Sequence, residues 1–174
     1  MRKKRLLQLT AALLCAVILS ACGGAPADAD YTCTVSISCA TILDNMDQCA
    51  ESKKELVPAD GVILPPTEVA FAEGESAFDV LQRVCRDNGI HLESKFTPVY
   101  NSAYIQGIHN IYEFDVGKLS GWMYAVNDWF PNYGCSLYQV QDGDVIRWVY
   151  TCDLGADVGG GQAAGDGQQE GANT

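Results

Sequence analysis

Histidine is nearly missing from this chain: His91 and His109 are the only two in 174 residues. No Cys-x-x-Cys pair occurs, and no cysteine stands at zinc-ligand spacing from either histidine, so a structural zinc site has nothing to build on. No nucleophile-elbow pattern is present either, which leaves acyl-transfer chemistry without its usual signature. Basic residues are scarce: 11 Lys and Arg stand against 22 Asp and Glu. A nucleic-acid binder needs a basic footprint, so that class is excluded. Beyond the first twenty residues there is no long apolar run, and no internal repeat. Asp153 and Asp157 are too sparse a set for an EF-hand calcium loop. The reading is a non-catalytic protein without a metal.

The N-terminus carries the clearest signal. Arg2, Lys3, Lys4 and Arg5 form a positive start, and Leu6 to Leu19 is apolar except for Gln8 and Thr10. That length suits an export signal and is short for a membrane-spanning helix. Leu19-Ser20-Ala21-Cys22 follows and resembles a bacterial lipobox. The resemblance implies cleavage before Cys22 and lipid transfer to its thiol, with residues 1–21 as the signal peptide. An ordinary secretory signal with an incidental cysteine is the alternative. Two or more acyl chains hold a protein stably to a bilayer where one does so marginally. The expected location is the bacterial cell envelope, outside the cytoplasm and anchored to the membrane.

Removing Arg2, Lys3, Lys4 and Arg5 from the eleven basic residues leaves seven against 22 acidic ones, a formal charge of −15. Such a charge serves solubility. Residues 22–30 are small and read as a tether. Residues 31–154 suffice for one domain with a core. Residues 155–174 are rich in Gly and Gln and cannot bury enough surface to order themselves. Six cysteines fall in the domain: Cys33, Cys39, Cys49, Cys85, Cys135 and Cys152. An even number outside the membrane favours disulfides, each worth roughly 2–4 kcal/mol. Fifteen pairings are open to six cysteines, and free buried thiols are the other reading.

Val35 and Ile37 alternate with polar neighbours between Cys33 and Cys39, the period of a half-buried strand. Residues 41–49 predict a short turn or helix, and 56–66 a loop punctuated by Pro58, Asp60-Gly61 and Pro65-Pro66. Residues 68–72 predict a second short strand. A helix is predicted over 77–88, with Ser76 and Asp79 as a capping pair and Gly89 as its stop. Leu81, Val84 and Cys85 share its apolar face; Arg83 and Arg86 point elsewhere. Residues 90–99 and 110–115 read as extended around a loop at 101–109. Trp122, Tyr124 and Val126 alternate along a strand that turns at Asn127-Asp128. The last strand covers 144–151, fed by Asp142-Gly143. This order predicts an α+β fold, a mixed or antiparallel sheet with one main helix on one face, β-grasp-like.

Gly121-Trp122-Met123-Tyr124, Val126-Asn127, Phe130-Pro131-Asn132, Asp142-Gly143-Asp144 and Trp148, preceded by GESAFDVL at 74–81, resemble the transcobalamin-like C-terminal domain family. This is a domain of unknown function in bacterial envelope lipoproteins, similar to the β-domain of vertebrate cobalamin carriers. The resemblance covers about residues 31–157 and implies a β-grasp fold. Asp128 departs from the family's usual Gly. In the carriers this domain covers one face of a corrinoid held against a separate helical domain. The resemblance therefore implies capture of cobalamin or a related corrinoid, with no covalently held cofactor.

Residues 120–135 hold five of the chain's sixteen aromatic residues. Trp122 and Tyr124 share a strand face, so sheet core is one reading for them. Trp129, Phe130 and Tyr133, with Asn127 and Asn132, lie at or past the turn, where rings with polar tips suit flat or amphipathic ligands. Loop packing is the alternative there. Tyr100, Asn101 and Tyr104 form a second candidate rim. Two functions follow: a lipid-anchored module binding a small amphipathic ligand, or a protein-interaction or adhesive module using the same rings on another envelope protein. In cells fed labelled fatty acid, the chain is expected to take up label and fractionate with membranes. Cys22→Ser should lose both; a serine variant that stays labelled overturns the anchor.

Overall fold

The computed structural model describes residues 24–26 and 28–160. The export signal, Cys22 and tail residues 161–174 lie outside the described residues. Strand β1 (Tyr31–Ser38) buries Cys33, Val35 and Ile37 between half-exposed Thr34, Ser36 and Ser38, the alternation its sequence dictates. It lies inside a four-stranded mixed sheet. On one side it pairs antiparallel with β2 (Val62–Phe71). On the other it runs parallel to β7 (Val145–Thr151), which pairs antiparallel with β6 (Gly121–Val126). The strand order is β2-β1-β7-β6. A second, antiparallel sheet joins β3 (Leu92–Thr97), β4 (Ser102–Ile108) and β5 (Ile111–Tyr112). Among the described residues, one helix, α1 (Ala77–Asp87), and three short 3-10 turns complete an α+β fold.

Helix α1 starts where the sequence predicts. Asp79 N donates to Ser76 Oγ (3.2 Å), and Ser76 N donates to the Asp79 carboxylate (2.9 Å). This reciprocal cap is worth about 1 kcal/mol. Gly89 follows with φ +65°, a left-handed conformation that ends the helix without strain. Val80, Leu81, Val84 and Cys85 face the core.

Four expectations are corrected. Residues 62–66 are strand, not loop: Val35 faces Thr67 and Ile37 faces Leu64, so β2 carries one extra residue at Pro65-Pro66. An edge strand tolerates prolines at such a bulge. Residues 102–108 are also strand; the pattern was hidden because Ser102 and Gly107 occupy buried positions. The result is two sheets where one was predicted. Arg83, expected on the open face, is buried, ion-paired to Glu75 and donating to the Ala70 carbonyl (2.8 Å). The start of the predicted tail is folded back: Asp157 accepts from the Thr151 hydroxyl and the Cys152 amide.

Large rings fill the centre, and their polar tips couple the sheets. Trp122 Nε1 donates to the Ile111 carbonyl (2.8 Å), and the Tyr150 hydroxyl donates to the Tyr112 carbonyl (2.7 Å). Trp122 and Tyr150 meet edge to face at 5.3 Å.

The disulfide expectation is also corrected. All six cysteines of the domain are free thiols, five of them buried. Cys33 lies on β1, Cys85 on α1 and the other four in connecting segments; the five buried ones serve as small apolar groups, an ordinary use of cysteine in a core. Burial, the leading cause at each, pushes the Cys33, Cys39, Cys85 and Cys135 thiols from 9.0 up to about 12. Unfolding therefore releases protons between those values, so the stability these thiols contribute is complete below about pH 9 and lost as pH rises towards 12. The melting temperature is expected to fall steadily across that window, and less steeply in a Cys85→Ala, Cys135→Ala chain measured against its own value at pH 8.

Candidate functional site

Strand β6 ends in a two-residue hairpin. Val126 and Trp129 exchange both backbone hydrogen bonds (2.8 and 2.9 Å). Asn127 and Asp128 between them have φ +50° and +66°, the mirror-image turn that matches strand twist. The chain then runs through Pro131 to Gly134 and crosses to β4. Gly134 is required there: a Cβ would overlap the Ser102 hydroxyl and its Cβ. The crossing is fastened on both sides. The Tyr124 hydroxyl donates to the Tyr133 carbonyl (2.9 Å). Ser136 Oγ accepts from Ala103 N (2.9 Å) and shares a hydrogen bond with Ser102 Oγ (2.9 Å).

Between this segment and the β3–β4 hairpin lies a cleft of about 470 Å³. Ligand sites commonly occupy roughly 300–1,000 Å³. One wall is Pro131, Asn132, Tyr133 and Gly134. The other is Lys95, Thr97, Tyr100, Ser102, Ala103 and Tyr104, with Glu113 at one end. The two rims predicted separately thus face each other, through Asn132 and Tyr133 on one side and Tyr100 and Tyr104 on the other.

Tyr104 is held at both ends. Its hydroxyl donates to the Glu113 carboxylate, and Lys95 Nζ lies 5.4 Å from its ring centroid. Burial, and then Glu113, push its phenol up to about 12; burial also raises the phenol of Tyr133. Both rings are neutral at physiological pH and present a hydroxyl and an aromatic surface. Trp129 stands just outside, 48% exposed, edge-on to Tyr133 at 5.9 Å.

Other predicted site residues lie elsewhere. Trp122 and Tyr124 are core, the latter stacked on Trp148 at 5.5 Å. Phe130 is buried against Gly160 of the folded-back C-terminal turn. Asn127 is occupied by structure: its amide donates to Asp144 Oδ1 (2.8 Å), and its oxygen accepts from Val145 N (2.9 Å). Asn101 sits exposed in the hairpin turn with φ +47° and is not part of the cleft wall. Lys95, Thr97, Ser102, Ala103, Glu113, Pro131 and Gly134 were not predicted. Lys95 and Glu113 could have been found from the alternation of β3 and from the acidic residue following Tyr112. Among the described residues, no group of three or more His, Cys, Asp or Glu is placed to hold a metal ion.

The region 74–152, which contains both cleft walls, matches a domain of unknown function, DUF4430. No curated protein matches the chain. Among solved structures the chain is similar to haptocorrin in complex with Cbi, with TM-score 0.50 and 14% identity over 71% of this chain. It spans only 26% of haptocorrin's length. It is also similar to a Ruminococcus gnavus ATCC 29149 protein provisionally described as metal binding, with TM-score 0.42, 15% identity, and coverage of 70% of this chain and 97% of that one. At such identities the likeness to haptocorrin is one of fold, and it agrees with the transcobalamin-like resemblance at that level.

Gly134→Ala is expected to lower stability by about 1–3 kcal/mol through overpacking, read as the urea midpoint. Adding Ser102→Gly, which removes the overlapping atoms, should recover part of the loss; a Gly134→Ala chain of unchanged midpoint contradicts this account of the crossing.

Proposed function

We propose that this chain is a non-catalytic binding module of the bacterial envelope, anchored by lipid at Cys22, whose tyrosine-lined cleft takes a small amphipathic ligand. The observation that carries the reading is the pairing of two separate aromatic rims across one cleft, one of them fixed to β4 at Gly134. The fold likeness to haptocorrin in complex with Cbi supports a corrinoid as the ligand to try first. In this reading the cleft grips one edge of the corrinoid, and a partner subunit covers the rest.

A second reading has its own observation. Phe96, Val99 and Tyr100 at the tip of the β3–β4 hairpin are 62%, 85% and 72% exposed. Exposed rings beside a groove also suit a protein partner in the envelope.

Equilibrium dialysis against cobinamide and cobalamin, followed by the corrinoid's visible absorbance, separates the two. The expected result is saturable binding, accompanied by a change in Trp129 fluorescence. Tyr104→Ala and Tyr133→Ala should each weaken it about threefold to tenfold, the worth of one aromatic contact. Tyr31→Ala, away from the cleft, should not. Absence of corrinoid binding, with an envelope protein retained through Phe96 and Tyr100, would favour the second reading.

A further inference from the structure

The cleft contains a charge that the rest of the molecule does not use. Lys53, Lys54, Arg83, Arg86 and Arg147 each reach a carboxylate within an ion pair. Among the described residues, only Lys95 and Lys118 of the basic side chains do not. In a chain with twice as many acidic as basic residues, Lys95 is an exposed ammonium on the cleft's rim with no carboxylate of the described residues within ion-pair distance. The nearby Glu113 carboxylate is occupied by the Tyr104 hydroxyl. Lys95 Nζ instead lies 5.4 Å from the centre of the Tyr104 ring, a cation-over-ring contact that holds the charge at the cleft surface without cancelling it.

A ligand lying against Tyr104 and Tyr133 would therefore meet one free positive charge at the edge of its stacking surface. The Glu113 carboxylate keeps its charge and is hydrogen-bonded to the Tyr104 hydroxyl, so an anion is placed at the Lys95 side of that ring, away from Glu113. We propose that the cleft selects a flat ring system bearing an anionic group, with the rings packed between Tyr104 and Tyr133 and the anion paired to Lys95. The proposal rests on the reading of the cleft as a small-ligand site and adds the charge of that ligand. It covers carboxylate, sulfonate and phosphate alike, since a lysine ammonium acts as a point charge on each.

The test uses three naphthalenes of one shape and different charge: 1-naphthaleneacetate, 2-(1-naphthyl)ethanol and 2-(1-naphthyl)ethylamine. Each is dialysed at pH 7 against the chain from residue 22 onward with Cys22→Ser, so that no lipid competes. The acetate is expected to bind about fivefold more tightly than the alcohol, the upper end for a solvent-accessible ion pair, and the amine more weakly than either. The preference should shrink as sodium chloride is raised. Lys95→Met keeps the apolar stem; in that variant the acetate and the alcohol should bind with equal affinity. An acetate no tighter than the alcohol, or a preference that survives Lys95→Met, overturns the proposal. If the alcohol still binds and loses affinity in Tyr133→Ala, the cleft stands as a ligand site and only its charge selection is wrong. If none of the three binds, the charge selection falls; the small-ligand reading falls with it only if cobinamide and cobalamin also fail to bind.

Discussion

One buried carboxylate organises the end of the molecule on which the cleft depends. Asp144 is 4% exposed. It accepts from the Tyr138 hydroxyl (2.9 Å), the Gln141 amide (2.8 Å) and the Asn127 side chain (2.8 Å). Its own carbonyl takes the Thr34 amide of β1 (2.8 Å). A charge at that depth is costly unless it is fully hydrogen-bonded, and here three donors meet it. Those donors come from the β6 turn, from the turn before β7 and from the segment returning from the cleft. The parallel pairing of β1 with β7, the hairpin at Asn127 and the course of the cleft wall therefore share one anchor. Asn127 looked like a ligand contact because it is a polar residue beside exposed rings; its role is to close this network.

The parts of the fold that were legible are those where the pattern and the local chemistry agree. The capping pair Ser76 and Asp79, the alternation of β7 and the turn at Asn127-Asp128 are all settled by neighbours in sequence. The parts that were missed depend on tertiary contacts, some far along the chain and some only a turn before the element concerned. Strand β2 runs through Pro65-Pro66 because it lies at a sheet edge, where a missing amide costs nothing and a bulge absorbs the extra residue. Arg83 is buried because Glu75 and the Ala70 carbonyl happen to lie beneath it. The first circumstance lies outside any window of a dozen residues; the second lies almost within one, but it needs the turn before α1 to fold back under the helix.

The candidate site shows the same division. Rings were easy to locate, but their facing was not. Trp122 and Phe130 are the kind of side chain that both cores and sites prefer, and burial under the second sheet and the C-terminal turn decided for the core. Strand β4 was hidden by its small residues. Ser102 and Gly107 leave room where a larger side chain would block the crossing at Gly134 or the Tyr112 ring. The feature that made the strand hard to recognise is thus the one that lets the loop approach and the cleft exist.

The cleft's two walls differ in how firmly they are set. The Pro131–Gly134 wall is fastened to β6 through Tyr124 and to β4 through Ser136. Its geometry is decided before any ligand arrives, which reduces the ordering cost of binding. On the opposite wall Tyr104 is equally constrained by Glu113, whereas Tyr100 projects from the hairpin tip with most of its surface in water. A ligand would find one ring held by its hydroxyl, Tyr104, one carried on a fastened backbone, Tyr133, and one that must be ordered, Tyr100. Affinity should then come from Tyr104 and Tyr133, and tolerance of ligand shape from Tyr100.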